Sequence, residues 1–527
     1  MSTEFAKIED LRAFCDEVRG MAKAGRLGPA LDAIAQFVLE VISRESSWAT
    51  VFSSPELDAL CQELGRLPPG APLNPIDQGR AVFLVTGIAR VGGHTRVMMD
   101  LIHADPAPRK TVLVSNVMHD LSEDQVRDIL HRLNPSVEIE LAPPGGIADA
   151  LGWLQQRLSA LCPARSYILQ HNFDAAITAA VQPELTGRLF YYHNCDHSLA
   201  LGVHLPHATH IDFNGKLFHH CRHVKGLANN VFWPLVAEVS SHRADLPFLA
   251  HGRVLTATSG GVPKFDTSYL LEWMPYRHDY KVMVPRILAA TGGDHIHIGP
   301  LKEDTLDLIR SNIAAAGIDQ TRFTHQPWVD DVAAELVERR VDLYIGSFPL
   351  GGGRATIEVM GAGIPLLLHY NYGSVFFTDL NEVYPDPLCW RDADELIAIL
   401  GDLSAELLAN HANRARAFYA GRFTRENLHN AVAATLANSP PATPTAPKHY
   451  PDTLQRWLDQ KVALRRWLDQ QVALQQPQLP TGLTIGPYRT TQEADTIAVQ
   501  LQITTRQIAA ILARRLALTM KRRLIGA

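Results

Sequence analysis

The chain has 527 residues, of which 46% are apolar and 20% charged. These proportions are ordinary for a globular protein and exclude whole-chain disorder or a collagen-like repeat. A formal charge of −6 is small for this length and gives no reason to expect a nucleic-acid binder overall. The six cysteines include no CxxC pair, which argues against a zinc ribbon or disulfide scaffold and for free thiols in a reducing compartment. At about 150 residues per domain, three or four folding units are expected.

Met1–Lys7 lacks a basic segment leading into an apolar run, so no signal peptide is read there. No stretch approaches the roughly 18 consecutive apolar residues of a membrane span. The expected location is the cytoplasm, with peripheral membrane contact as the second choice. Residues 1–79 read as a helical segment, because Leu31, Ile34, Phe37, Val38, Val41 and Ile42 recur at helical spacing. The run Leu67–Pro72 then breaks the chain. The segment carries no interpretable motif, and its expected role is packing or protein contact.

From Arg80 the pattern changes to short apolar runs alternating with helical stretches. Ala81–Val85, Thr111–Val114, Val137–Leu141 and Ser166–Leu169 are strand candidates, and Ile147–Leu161 and Thr95–Ile102 are helix candidates. The alternation restarts with Arg253–Thr256, Asp294–Ile298, Val341–Ile345 and Ile364–Leu368. The expected fold class is α/β, with two Rossmann-like domains, 80–245 and 246–438, each built on a mostly parallel sheet and facing the other across a cleft.

Residues 439–481 hold a Pro-rich linker and a ten-residue repeat, RWLDQKVALR from Arg456 and RWLDQQVALQ from Arg466. On a helix the repeat turns the second tryptophan by about 80° from the first, so the two copies form no single stripe. Residues 482–527 form a basic tail with two capping-box helix starts, at Thr490 and Thr504. Packing on the two α/β domains, contact with anionic lipid and a helix–turn–helix are its three readings.

The segment Val341–Ser374 carries the chemistry. A buried strand runs through Ser347–Pro349 into Gly351, Gly352 and Gly353, and a helix should begin near Ala355 or Thr356. Glycines before a helix let backbone approach a ligand, and the helix N-terminus offers unpaired N–H groups and partial positive charge to a phosphate. Glu358, read as lying in the first turn, would accept the hydroxyls of a ribose.

This phrase, FPLGGGRATIEVMGAGIPLL, resembles the donor-binding signature of GT-B glycosyltransferases. It is most similar to the branch containing O-GlcNAc transferases and related bacterial enzymes. The resemblance is specific over about residues 320–375 and extends as architecture over about 80–438. It implies transfer of a sugar from a nucleotide-sugar donor, UDP-linked in most of that branch, with no cofactor and no metal. Gly352, Gly353, Arg354, Ala355 and Thr356 would contact the diphosphate and Glu358 the ribose. Gln326, in the phrase Arg322–Trp328, would lie in the base-contacting loop, and Lys264 would neutralise the leaving diphosphate. Many retaining members carry a second Glu eight positions before the ribose Glu. Leu350 stands there, which favours the inverting branch.

On the acceptor side, His94 and Arg96 follow the first strand of the first domain, and the glycines around them are common in α/β folds. Tyr191–His223 is rich in histidine, and His193-Asn194-Cys195-Asp196-His197 resembles an acid-plus-histidine phrase of some bacterial glycosyltransferases. Asp196, His197 or His94 would serve as the base that takes the acceptor proton. His193 and His197 are also four apart, as in a zinc-binding helix, but the HExxH glutamate is missing and no metal is expected. His171–Asp174 ends another strand and ranks lower. The acceptor, whether protein, lipid-linked glycan or small molecule, is not legible. The rival functions are a sugar-nucleotide epimerase on the same fold and a regulatory nucleic-acid-binding protein acting through the basic tail.

Overall fold

The computed structural model describes residues 11–43, 47–49, 51–68, 74–88, 93–118, 122, 124–126, 128, 137–243, 246–250, 252–265, 280–370, 375–439 and 442–445. The ten-residue repeat, both capped helix starts and the basic tail lie outside the described residues, as do Arg90–Gly92.

Thirteen described strands form two parallel sheets. The first holds β1 (Asp77–Val85), β2 (Arg109–Val114), β3 (Glu138–Leu141), β4 (Pro163–Leu169), β5 (Arg188–Tyr192), β6 (Ala208–Asp212) and β7 (Val231–Phe232). Its order is β3-β2-β1-β4-β5-β6-β7. The second holds β8 (Thr256–Ser259), β9 (His295–Ile298), β10 (Phe323–Gln326), β11 (Leu343–Ile345), β12 (Leu366–His369) and β13 (Leu388–Trp390), in the order β10-β9-β8-β11-β12-β13. Both sheets grow outward from their first strand and reverse beside it, the strand order of a Rossmann-like domain. The burial follows from this: Ala81–Val85 are all buried, because helices cover both faces of a central parallel strand.

Several boundaries differ from the sequence reading. The second sheet opens at Thr256, not Arg253, and Phe323–Gln326 is its edge strand rather than a loop. The N-terminal helices Leu11–Lys23, Leu27–Ile42 and Pro55–Leu64 do not stand apart. Leu31, Ile34, Val38, Leu57 and Leu60 share one core with Leu151, Leu154 and Ile177 of the first domain. Asp58 fastens the joint, its two oxygens accepting the Gly202 N–H at 2.6 Å and the His204 N–H at 2.8 Å.

The chain also crosses back. The helix Arg425–Leu436, read from the sequence as the end of the second domain, buries Leu428 and Val432 in the core of the first. Arg188 donates to the carbonyls of Thr435 and Leu436, and Trp233 Nε1–H donates to Thr435 Oγ1 at 2.9 Å. Residues 442–445 follow it onto the same domain, where His219 Nε2 lies 2.9 Å from the Pro444 carbonyl.

Trp233 is fully buried beside Tyr167 and Phe190. Trp233→Ala should lower unfolding stability by about 3–5 kcal/mol, read by urea denaturation. A loss under about 1 kcal/mol would show that the returning helix is not held this way.

Candidate functional site

In a doubly wound sheet the crevice opens where the strand order reverses, at the carboxyl ends of the strands. In the first sheet that point lies between β1 and β4, and His94 and His171 follow those strands. Their ring centroids are 4.8 Å apart. In the second sheet it lies between β8 and β11, and Lys264 and Gly351–Gly353 follow those. The two crevices face each other. Arg354 Nη1 lies 3.2 Å from Asp100 Oδ2 of the first domain, and Lys216 Nζ donates to the Thr378 carbonyl of the second at 2.9 Å.

The helix expected near Ala355 runs from Arg354 to Gly361. Gly353 is its N-cap, with φ of +59°, a left-handed conformation that a side chain would strain. The donors before the helix already hold an anion, the carboxylate of Asp379. Gly352 N–H donates to Asp379 Oδ2 at 2.6 Å, Gly353 N–H reaches both oxygens at 3.1 Å, and Thr356 Oγ1–H donates at 2.7 Å. Gly351 serves this approach, since a Cβ there would come within 2.7 Å of Asp379 Oδ1. In this structure the acceptor at these amides is an internal carboxylate, which nothing in the spacing of Asp379 announces.

Lys264 lies in the short helix Val262–Phe265. Burial pulls its ammonium below the ordinary lysine range, and Asp379 pushes back. Glu358 is the fifth residue of its helix, just past the first turn in which it was expected. Its carboxylate accepts from Arg354 Nε at 3.2 Å, and burial raises its pKa against the pull of Arg354. Arg354 is thus held between Glu358 and Asp100 and points across the domain boundary, not at the glycines. Ala355 adjoins it in the first turn, where amides lack intrahelical acceptors. Gln326 ends β10, where its Nε2 donates to the Trp328 carbonyl at 3.0 Å and the Trp328 ring is exposed.

The first domain brings its three candidates into electrostatic reach of one another. Asp196 Oδ1 lies 3.0 Å from His197 Nδ1, and Asp196 Oδ2 accepts from Asn214 Nδ2 at 3.1 Å. Burial pushes the Asp196 carboxyl up, but the His197 hydrogen bond and charge, with Lys216, outweigh it and leave it below the ordinary range. His94 is pushed down to about 4 by burial and by His171, so it is neutral at neutral pH.

The sequence reading missed the N-terminal segment's part here. Ala49 N–H donates to the His197 carbonyl at 2.6 Å, and the Trp48 ring meets His197 edge-on at 5.8 Å. Phe52 packs on Phe376 of the second domain at 4.7 Å. Lone aromatics in a segment without motif give no signal of this. A cavity of about 1170 Å³ opens elsewhere, lined by Asp58, Gln62, His204 and His207 among others. None of the residues singled out as donor or base contacts lines it.

No family model and no curated protein matches the chain. Similar solved structures include Anabaena Alr3699/HepE in complex with UDP and glucose, at 14% identity and a TM-score of 0.48, covering 68% of this chain and 100% of that one. A mutant of the Thermobaculum terrenum O-GlcNAc transferase matches at 12% identity and a TM-score of 0.47, covering 81% and 83%. The apo form of the lipopolysaccharide outer core galactosyltransferase WaaB matches at 12% identity and 0.48, covering 68% and 99%. The fold assignment stands on the chain's own strand order: two Rossmann-like domains facing a cleft, with no described helix long and apolar enough to cross a membrane.

Asp379→Ala should cost about 1–2 kcal/mol, as losing a helix N-cap does, measured by urea unfolding. An unchanged midpoint would mean that the carboxylate does not hold the glycine loop. Between pH 6.5 and about 4 the unfolded chain protonates His94 while the folded chain does not. The stability contributed by neutral His94 is present above pH 6.5 and lost as pH falls toward 4. His94→Gln should flatten the pH dependence of stability in that window, and a slope equal to wild type would contradict the lowered pKa of His94.

Proposed function

We propose that the chain is a glycosyltransferase that moves a sugar from a nucleotide-sugar donor to an acceptor bound against the first domain. One observation carries the reading: a helix N-terminus at the switch point of the second sheet, with Lys264 beside it, holds an anion. The occupant is a carboxylate, and the same donors suit a diphosphate. In this reading the donor's diphosphate displaces Asp379, taking the amides of Gly352, Gly353, Arg354 and Ala355 and the hydroxyl of Thr356. Glu358 exchanges Arg354 for the ribose hydroxyls, and the loop after Gln326 receives the base. UDP is the commonest donor nucleotide of the branch that the donor segment resembles, and is the nucleotide favoured here.

The chemistry follows from the two faces of the cleft. As the bond from the sugar to the diphosphate breaks, its electron pair goes to the leaving oxygen. The helix end and Lys264 stabilise that charge as it develops. The new bond forms to an acceptor whose proton passes to a base on the first domain. Asp196, His197 and His94 are the candidates, Asp196 as carboxylate and His94 as neutral imidazole. Closure of the domains over the cleft would exclude water.

A thermal-shift screen against UDP, GDP, ADP and dTDP tests the reading in wild type and Asp379→Asn. One nucleotide should raise Tm. Removing the competing charge should tighten that nucleotide on the order of tenfold, about 1.4 kcal/mol. Glu358→Ala should abolish the shift. No shift with any of the four in either protein, or a full shift in Glu358→Ala, would overturn the assignment.

A further inference from the structure

Apart from the donor and base residues, four metal-ligating side chains converge inside the first domain. His193 follows β5, His210 and Asp212 lie on β6, and Cys221 lies on the helix Gly215–His223. One ligand atom from each lies within 4.8 Å of all the others. His210 and Asp212 are two apart on a strand and share a face, which turns both toward the end of β5. His193 Nδ1 is 3.5 Å from Cys221 Sγ and 3.7 Å from Asp212 Oδ1, and His210 Nε2 is 3.0 Å from the same oxygen. Tetrahedral zinc with bonds of about 2.0–2.3 Å separates its ligand atoms by roughly 3.3–3.7 Å.

We infer that His193, His210, Asp212 and Cys221 form a closed structural site for a divalent transition metal, zinc by the chemistry of the donor set. Two imidazole nitrogens, a carboxylate oxygen and a thiolate fit zinc, while calcium and magnesium prefer all-oxygen shells. One carboxylate and one thiolate cancel the double charge, so the filled site is neutral, as burial demands; all four side chains are 3% exposed or less. The carboxylate is oriented from behind: Asn230 Nδ2 donates to Asp212 Oδ2 at 2.6 Å, and Arg222 Nε donates to Asn230 Oδ1 at 2.8 Å. Such outer support is what a metal ligand needs. Both imidazoles turn one nitrogen inward and leave the other, His193 Nε2 and His210 Nδ1, buried without a partner among the described residues. The inward nitrogens are the ones that face Cys221 and Asp212.

Binding would exchange the Cys221 thiol proton for the metal and release it to solvent, with both imidazoles neutral and Asp212 ionised. Four protein ligands leave no open position for substrate. The site stands behind the candidate base, since His193 begins the loop that carries Asp196, and Asp212 lies two residues before Asn214, the donor to Asp196. Its role would be to fix that loop. It does not depend on the glycosyltransferase reading.

The full chain, produced in zinc-supplemented medium and desalted, should carry about one zinc per chain by mass spectrometry. Removal by a chelator should lower Tm, and zinc but not magnesium should restore it. The cobalt-substituted chain should show tetrahedral d–d absorption with a thiolate-to-cobalt charge-transfer band. Cys221→Ser should lose that band, and Asp212→Asn should lower the zinc content. His207→Ala, outside the cluster, should keep both. A folded wild-type chain with neither zinc nor a cobalt spectrum would overturn the site, and so would a charge-transfer band that survives Cys221→Ser. Metal content and nucleotide binding are separate readouts, so failure of one leaves the other standing.

Discussion

The Asp379 carboxylate sits where three donors converge: the amides of Gly352 and Gly353 and the hydroxyl of Thr356. The rest of the second domain is arranged around that requirement. Amides at a helix start lack intrahelical acceptors, and only residues without side chains let an anion come so close. Gly351 and Gly352 make room, Gly353 turns the chain with a positive φ, and Lys264 sets a positive charge nearby. The acceptor arrives on the segment that follows β12, which places the functional end of one crossover under the control of the next.

That segment also touches the first domain. Thr378, the residue before Asp379, accepts from Lys216, and Lys216 is one of the charges that keep Asp196 ionised. Glu382, a few residues on, is pushed up to about 7 by burial, with Lys216 opposing. Carboxylates from both domains thus share one lysine. Arg354 repeats the pattern from the other side, bonded to Glu358 on its own helix and to Asp100 on the first domain. A ligand that claimed Glu358 or the glycine amides would alter charges that now bridge the domains. Donor binding and domain closure would then be coupled through groups in contact.

The histidine-rich stretch divides along the same logic. His197 lies toward the cleft with Asp196 and the Trp48 ring. His193 and His210 turn away, into the packing around Asp212 and Cys221. Residues three or four apart in sequence thus serve different centres, because the chain leaves β5 into a turn, not a helix.

Period and punctuation in the sequence determined the two α/β domains, most of the central strands and the helix Ile147–Leu161, matched to the residue. Buried parallel strands must be apolar throughout and must be separated by turns, and that pattern is local. The glycine loop was legible as an anion-site candidate from the local order of Phe348-Pro349, the three glycines, Glu358 and the Gly363-x-Pro365 exit, where glycines alone would serve equally to join a strand to a helix. Tertiary structure alone decided which anion lies there, because Asp379 reaches it from the far side of a strand with no fixed spacing. It alone returned Arg425–Leu436 to the first domain, set Trp48 against His197 and drew Cys221 to His193. Each of these depends on contacts between residues distant in the chain, whose pairing follows from packing geometry and leaves no periodic trace in the order of amino acids.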